Sequence, residues 1–137
     1  MGKPFGLQDR SVLVVEGDAD TLEATAHLID AAFDCKVLTA SSPGQALAYI
    51  DAGTPIDLLF VDVVLPDTDT DGVTLAALAK ERVPNVAVVF ATGWENESEI
   101  DSIIEKGHLA LLRPYGIEQL QAVFKESVES ADHRLPS

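Results

Sequence analysis

The sequence is poor in cysteine, in positive charge and in long apolar runs, and each shortage excludes a class of protein. Cys35 is the one cysteine among 137 residues, which rules out an internal disulfide. Only 9 lysines and arginines stand against 23 aspartates and glutamates, a formal net charge of -14, whereas binding to nucleic acid requires clustered positive charge. No apolar run approaches the roughly 20 residues that span a membrane. We therefore expect partners that are proteins or small ligands.

Length and composition are those of a single globular domain. The 137 residues are 47% hydrophobic and 23% charged, which suits one hydrophobic core. We place the domain at residues 8–130 and expect the polar tail at 131–137 to fray. The first residues lack the apolar stretch of a secretory signal, so we expect a cytoplasmic protein.

Short apolar runs alternate with amphipathic segments at intervals of roughly 20 to 25 residues, which is typical of βα units and a parallel sheet. The pattern predicts strands at 11–16, 35–40, 57–62, 86–92 and 109–113, and helices at 19–32, 43–52, 72–82, 97–106 and 117–129. The second helix has a capping residue, Ser42, followed by Pro43 in its first turn. The fifth helix has one apolar stripe at helical spacing, which predicts a buried face: Ile117, Leu120, Val123, Phe124 and Val128.

Polar residues follow four of the apolar runs directly. Asp62 ends the third run, Thr92 ends the fourth, Arg113 follows the fifth, and the first run ends in the acids Glu16 and Asp18. In an open parallel sheet the carboxyl ends of the strands line one crevice, where such folds place their sites. We therefore expect these residues to meet there.

A charge at the end of a buried strand is costly, so we interpret Asp62 as a chemical group. A carboxylate that accepts a phosphoryl group faces several negative charges, and a cation such as Mg²⁺, held by further carboxylates, offsets the repulsion. Glu16 can supply one of these carboxylates. Thr92 can hydrogen-bond a phosphoryl oxygen, and Arg113 can pair with another.

The order and spacing of these residues resemble a response-regulator receiver domain of the CheY-like kind over about residues 11–128. The motif Phe90-Ala91-Thr92-Gly93-Trp94 further resembles a subgroup of stand-alone receivers linked to HWE/HisKA2 histidine kinases of alphaproteobacteria. The resemblance implies a bacterial two-component protein and an α/β fold, a flavodoxin-like (βα)5 three-layer sandwich with a parallel sheet of strand order 2-1-3-4-5. It also implies a histidine kinase or phosphotransfer protein as partner, and no enzymatic activity beyond the domain's own phosphotransfer and dephosphorylation.

The resemblance assigns roles at the matching positions. Asp62 is the phosphoacceptor, Thr92 the switch hydroxyl and Arg113 the cationic residue of the site. Magnesium ligands are implied at Glu16, at Asp62 and at the backbone carbonyl of Val64. Tyr115 is the aromatic residue near the signalling face.

The sequence departs from the family pattern at two positions. The acid pair after the first strand reads Glu16-Gly17, so a direct metal ligand is missing and weaker Mg²⁺ binding is expected. Asp18 either turns inward to replace that ligand or caps the first helix. Arg113 stands where most receivers have lysine, and the two cations differ in donor geometry. The alternative is a degenerate receiver that binds partners without phosphorylation.

A flavodoxin-like protein that binds flavin mononucleotide would share this fold. That site requires a hydroxyl-rich and glycine-rich phosphate loop after the first strand. Glu16, Asp18 and Asp20 stand there instead and would repel a phosphate, so the sequence disfavours this function.

Overall fold

Strands and helices alternate throughout the computed structural model, which describes residues 9–65, 70–93 and 97–133. The strands are Ser11–Val15 (β1), Lys36–Ala40 (β2), Leu58–Asp62 (β3), Ala87–Thr92 (β4) and Leu109–Leu112 (β5). The helices are Ala19–Ala32 (α1), Pro43–Asp51 (α2), Gly72–Arg82 (α3), Glu97–Glu105 (α4) and Ile117–His133 (α5). Every end except that of α5 falls within about one residue of the predicted position.

The five strands form one parallel sheet in the order β2-β1-β3-β4-β5. In the registers, Val14 of β1 lies beside Phe60 of β3, and Asp62 at the end of β3 lies beside Ala91 of β4. The predicted α/β fold with a flavodoxin-like strand order is confirmed. Because all five strands run the same way, their carboxyl ends lie along a single edge.

Helices cover both faces of the sheet. Because successive strand residues point to opposite faces, each strand contributes to a core on either side. Leu13 and Val15 of β1 lie in a core completed by α2, α3 and α4. Val12 and Val14 lie in a second core completed by α1 and α5. Strands β1, β3 and β4 are buried from end to end, which explains their continuous apolar sequences. Among the described residues, no helix is both long enough and apolar enough to cross a membrane.

Three helices begin at a side chain that accepts a hydrogen bond from the backbone N–H three residues further on, which satisfies a donor that the helix itself cannot. The predicted start of α2 at Ser42 is one of them, with Pro43 following it. The pairs are Asp18 with Thr21 at 2.9 Å, Ser42 with Gln45 at 3.2 Å and Asp71 with Thr74 at 2.8 Å.

Helix α5 differs from the prediction in the exposure of its first residue and in its C-terminal end. Leu120, Phe124 and Val128 are buried as expected, but Ile117 is 40% exposed because the core beneath this helix begins at Leu120. The helix continues to His133, beyond its predicted end at residue 129, and the fraying expected at 131–137 stays a prediction. A buried side chain at Ala131 holds this last part of the helix on the core. The rest of the predicted tail, 134–137, lies outside the described residues.

Replacing Phe124 with alanine is expected to lower the free energy of unfolding by about 3–5 kcal/mol, the usual cost of removing a buried phenylalanine. Its ring stacks on Phe33 with centroids 5.4 Å apart and meets Phe60 edge-on at 5.0 Å. Urea denaturation measures the change. Ile117→Ala on the same helix is the control, and a loss below about 1 kcal/mol is expected there. Equal losses in the two variants would contradict this burial pattern.

Candidate functional site

Polar residues at the ends of four strands lie along the carboxyl edge of the sheet. Asp62 is the last residue of β3 and Thr92 the last of β4, while Glu16 and Arg113 directly follow β1 and β5. Strands β1, β3, β4 and β5 are consecutive neighbours in the sheet, so the fold itself brings their ends together. Residues far apart in the chain thus form one site.

The guanidinium of Arg113 bridges two carboxylates. Its Nη2 donates to Oδ2 of Asp62 at 2.8 Å and to Oε2 of Glu16 at 3.0 Å. Asp62 is 8% exposed and Glu16 is 7% exposed, whereas one third of the Arg113 side chain reaches solvent. Charge-assisted hydrogen bonds of this length are strong, and the single cation reduces the repulsion between the two acids.

Backbone groups occupy the other two carboxylate oxygens. Oδ1 of Asp62 accepts a hydrogen bond from the N–H of Val64 at 3.0 Å. Oε1 of Glu16 accepts one from the N–H of Asp18 at 3.0 Å. All four oxygens of the two acids therefore have a donor within the protein, which fixes the orientation of both side chains.

The pKa values reflect burial of like charges around one cation. Burial raises the pKa of Glu16 to about 7, and the hydrogen bond and charge of Asp62 raise it too, against the lowering effects of the Asp18 N–H and of Arg113. Burial by itself lowers the pKa of Arg113, but the carboxylates of Asp62 and Glu16 outweigh it and raise that pKa above its usual value. Arg113 is therefore a permanent cation of the site.

The side chain of Thr92 is completely buried, and its Oγ1 has no hydrogen-bond partner among the described residues. Thr92 follows Ala91, the residue that pairs with Asp62 across the sheet. Its backbone carbonyl accepts a hydrogen bond from the N–H of Arg113 at 2.9 Å, which ties the chain after β5 to the end of β4. A buried hydroxyl without a partner is costly, so this one differs from the carboxylates of the site, whose oxygens are all bonded.

Of the two roles predicted for Asp18, the structure shows the capping role. Its Oδ2 accepts hydrogen bonds from the backbone N–H of Thr21 at 2.9 Å and from the Thr21 hydroxyl at 2.7 Å. These bonds lower the pKa of its carboxyl, which lies at the surface. Val64 contributes its N–H to Asp62, and its carbonyl stays a predicted ligand.

Most of the chain matches one known protein family. The family model of the response regulator receiver domain matches residues 12–125. The chain belongs to this family. The matched range contains Glu16, Asp62, Thr92 and Arg113, so all four residues of the site lie in receiver sequence.

Individual relatives show how far the likeness extends. The receiver is 26% identical over 121 residues to the nitrogen assimilation regulatory protein NtrX of Azorhizobium caulinodans, covering 87% of this chain and 26% of that protein. It thus spans about a quarter of the length of that curated relative. The crystallised receiver domain of NtrX from Brucella abortus is 27% identical, with a TM-score of 0.75 and coverage of 87% and 98% of the two chains.

A second solved structure supports the fold alone. A response regulator receiver domain protein from Clostridium thermocellum is 21% identical, with a TM-score of 0.78 and coverage of 90% of this chain and 98% of that one. The narrower resemblance to the HWE/HisKA2-linked subgroup stays a prediction. Trp94, the aromatic residue of that motif, lies outside the described residues.

Receiver domains generally bind Mg²⁺ in an acidic pocket, and the side chains present here do not fit that ion as they stand. The acidic pocket of this receiver consists of Glu16, Asp62 and Arg113, with glycine at position 17. Every carboxylate oxygen in it is already bonded, and the cavity beside it measures about 10 Å³, the space of one water at most. Magnesium requires octahedral oxygen ligands and keeps several waters. In the described part of the chain, no group of three or more acidic, histidine or cysteine side chains is arranged to hold a metal.

Gly72, which the sequence analysis did not select, lets α3 pack directly against the backbone of Asp62. It is the first residue of α3, and a Cβ placed there would overlap the carbonyl oxygen of Asp62 and lie 3.0 Å from Cα of Val63. Its N–H donates to the carbonyl of Val63 at 2.9 Å. The signal available in the sequence was a glycine in the first turn of a helix, where it is a poor helix former.

The variant Gly72→Ala is expected to lose about 2 kcal/mol or more of stability, because the added methyl group must displace backbone next to Asp62. Gly44→Ala in α2 is the matched control, since its Cβ would find its nearest neighbour at 3.9 Å. That substitution should be neutral or stabilising by up to about 1 kcal/mol. Urea denaturation compares the two, and equal effects would contradict the close approach at Gly72.

The variant Glu16→Gln is expected to be more stable than the wild type at pH 8 by at least about 1 kcal/mol, and equally stable near pH 4. A folded-state pKa of about 7 against an ordinary 4.5 means that the wild type loses stability as the pH rises between these values. Glutamine mimics the protonated acid and carries no such loss.

Denaturation in a chelating buffer at several pH values measures this difference between the variant and the wild type. Glu23→Gln on the exposed side of α1 controls for the change in net charge. A Glu16→Gln variant that is less stable than the wild type at pH 8 would show that the ion pair with Arg113 outweighs the burial of the charge.

Proposed function

We propose that this receiver accepts a phosphoryl group on Asp62 from a histidine kinase or phosphotransfer protein in two-component signalling, and that the modification changes its affinity for a protein partner. The observation that carries the proposal is the buried hydroxyl of Thr92 beside the end of β3, which has no hydrogen-bond partner in the described part of the chain. A phosphoryl oxygen on Asp62 would accept its hydrogen bond. The cost of burying that hydroxyl, about 1–3 kcal/mol, would then favour the modified state.

The chemistry requires a carboxylate nucleophile and a nearby positive charge. An oxygen of Asp62 forms a bond to phosphorus while the bond from phosphorus to the donor's leaving group breaks, and the electron pair of that bond leaves with the donor. Arg113 offsets the negative charge that builds up on the phosphoryl oxygens. Its guanidinium has five N–H donors and the bridge to the two acids uses one nitrogen, so further donors remain for the incoming group.

A change at the site can reach the surface through β4 and the chain after β5. The Thr92 carbonyl binds the N–H of Arg113, and Tyr115 packs edge-on against Phe60 with centroids 6.0 Å apart. A new bond to the Thr92 hydroxyl would therefore pull on a connected set of residues. We assign the signalling surface to residues 92–116. We also propose that the domain has no enzymatic activity beyond its own phosphotransfer and dephosphorylation.

The second candidate is a receiver that binds its partner without phosphorylation. One observation favours it: both oxygens of Asp62 are bonded, to Arg113 and to the N–H of Val64, so the nucleophile must first give up a partner. In that case the form that binds the partner would be the one in which Arg113 bridges Glu16 and Asp62. The Thr92 hydroxyl would then have no phosphoryl oxygen to bond.

Intact mass spectrometry after incubation with acetyl phosphate separates the two candidates. The wild type is expected to gain the mass of one phosphoryl group, as acetate leaves and Asp62 becomes an acyl phosphate that hydroxylamine removes. Asp62→Asn should gain nothing. Asp18→Asn is the matched control at the same edge, because asparagine also caps helices, and it should be modified like the wild type.

No gain of mass in the wild type, under conditions where another receiver is modified, would overturn phosphorylation in favour of binding alone. A gain that survives in Asp62→Asn would place the acceptor elsewhere.

A further inference from the structure

The acidic pocket contains a cation that the protein itself supplies, the guanidinium of Arg113. One nitrogen, Nη2 of Arg113, lies 2.8 Å from Asp62 and 3.0 Å from Glu16, the place between two carboxylates that a shared cation takes. We propose that Arg113 is a tethered counter-cation of this pocket, and that a divalent cation enters only by displacing it.

Contacts on both sides of Arg113 fix the backbone from which its side chain extends. Its N–H donates to the Thr92 carbonyl at 2.9 Å, which anchors it to the end of β4. Two residues further on, Tyr115 packs edge-on against Phe60 and lines the same groove as Thr25 of α1. The guanidinium therefore extends from a segment fixed on both sides, and little side-chain freedom is lost when it bridges the acids.

Little space remains beside the two acids while the guanidinium bridges them. The cavity lined by Glu16, Asp62, Arg113 and Tyr115 measures about 10 Å³, whereas Mg²⁺ brings several of its own waters. One third of the Arg113 side chain is exposed, and the same residue lines an open groove of about 420 Å³ along α1. The side chain thus has a route out of the pocket.

The carboxylates available to a metal ion also indicate that Arg113 and a divalent cation compete. Position 17 is glycine, and the carboxylate of Asp18 is held by Thr21 in the cap of α1. Among the residues that the structure describes, Glu16 and Asp62 alone offer carboxylates in this pocket, and both are bonded to the guanidinium. A divalent cation must therefore break two charge-assisted hydrogen bonds and gains two carboxylates in return, so Arg113 and the metal oppose each other.

The inference rests on the proposed function in one respect: it explains how a phosphoryl group can be received with a protein cation in the pocket. The competition itself needs no phosphodonor. A failure of the metal experiment therefore leaves the mass experiment unaffected, and the reverse also holds.

Isothermal titration with MgCl₂ alone, on the metal-free protein at constant ionic strength, measures the competition. Arg113→Met keeps an unbranched apolar stem but removes the charge, and its Kd for Mg²⁺ is expected to be at least about tenfold lower than that of the wild type, a difference of about 1.4 kcal/mol. The matched control is Arg82→Met, which removes an exposed arginine paired with Asp51 at 3.3 Å. Its Kd should equal that of the wild type.

Equal Kd values for the wild type and Arg113→Met, or no binding by either, would overturn the proposal. A second measurement needs no variant and covers the case in which Arg113→Met does not fold. In the wild type, saturating Mg²⁺ should shift the Arg113 side-chain N–H resonance and speed its exchange with water. Magnesium binding that leaves this resonance unchanged would equally reject the displacement.

Discussion

The bridge from Arg113 to Glu16 and Asp62 is the interaction on which the functional edge of this receiver depends. It joins the ends of β1 and β3 to the segment after β5, residues that are 97 and 51 positions apart in the chain. Without the guanidinium, two buried carboxylates would lie together with no opposite charge, an arrangement that costs several kcal/mol in a low-dielectric environment. The bridge therefore stabilises the folded edge.

The rest of the architecture determines where that bridge can form. A parallel sheet in the order β2-β1-β3-β4-β5 places β3 between the strands that supply Glu16 and Thr92. Gly72 lets α3 start directly against the backbone of Asp62, and Thr92 accepts the N–H of Arg113. Packing of α3 thus acts on Asp62, and the hydrogen bond to the Thr92 carbonyl acts on Arg113, the two residues that the bridge joins. The position of Asp62 and the segment after β5 are consequently joined by direct contacts.

Most of the fold could be predicted from the sequence because its signals are local. The continuous apolar runs of β3 and β4 mark strands that are covered on both faces, and Ser42 with Pro43 marks the start of α2. Helical spacing failed at Ile117, because a stripe shows which side of a helix is apolar but not where the core beneath it ends.

The site itself could be predicted only in part. The ends of the strands indicated which residues meet, since strand order brings Glu16, Asp62 and Arg113 together. Spacing could not show that one nitrogen bridges both acids, because this depends on a side-chain conformation and on residues distant in the chain. The sequence could not decide between two roles for Asp18, because an acid suits both a helix cap and a metal ligand. The contact of Gly72 with Asp62 depends on how closely α3 approaches β3, which no local pattern records.

The two departures from the family pattern have related electrostatic consequences. Glycine at position 17 removes one negative charge, so the pocket of Glu16, Asp62 and Arg113 is one unit less negative than a pocket of three acids and one lysine. A less negative pocket attracts a divalent cation less strongly, and the pKa of about 7 for Glu16 weakens the attraction further near neutral pH. The same reduction in charge lowers the repulsion toward an incoming phosphoryl group. Loss of the third acid therefore reduces both the attraction for the metal and the need for it, and the guanidinium already in place supplies the positive charge that remains necessary.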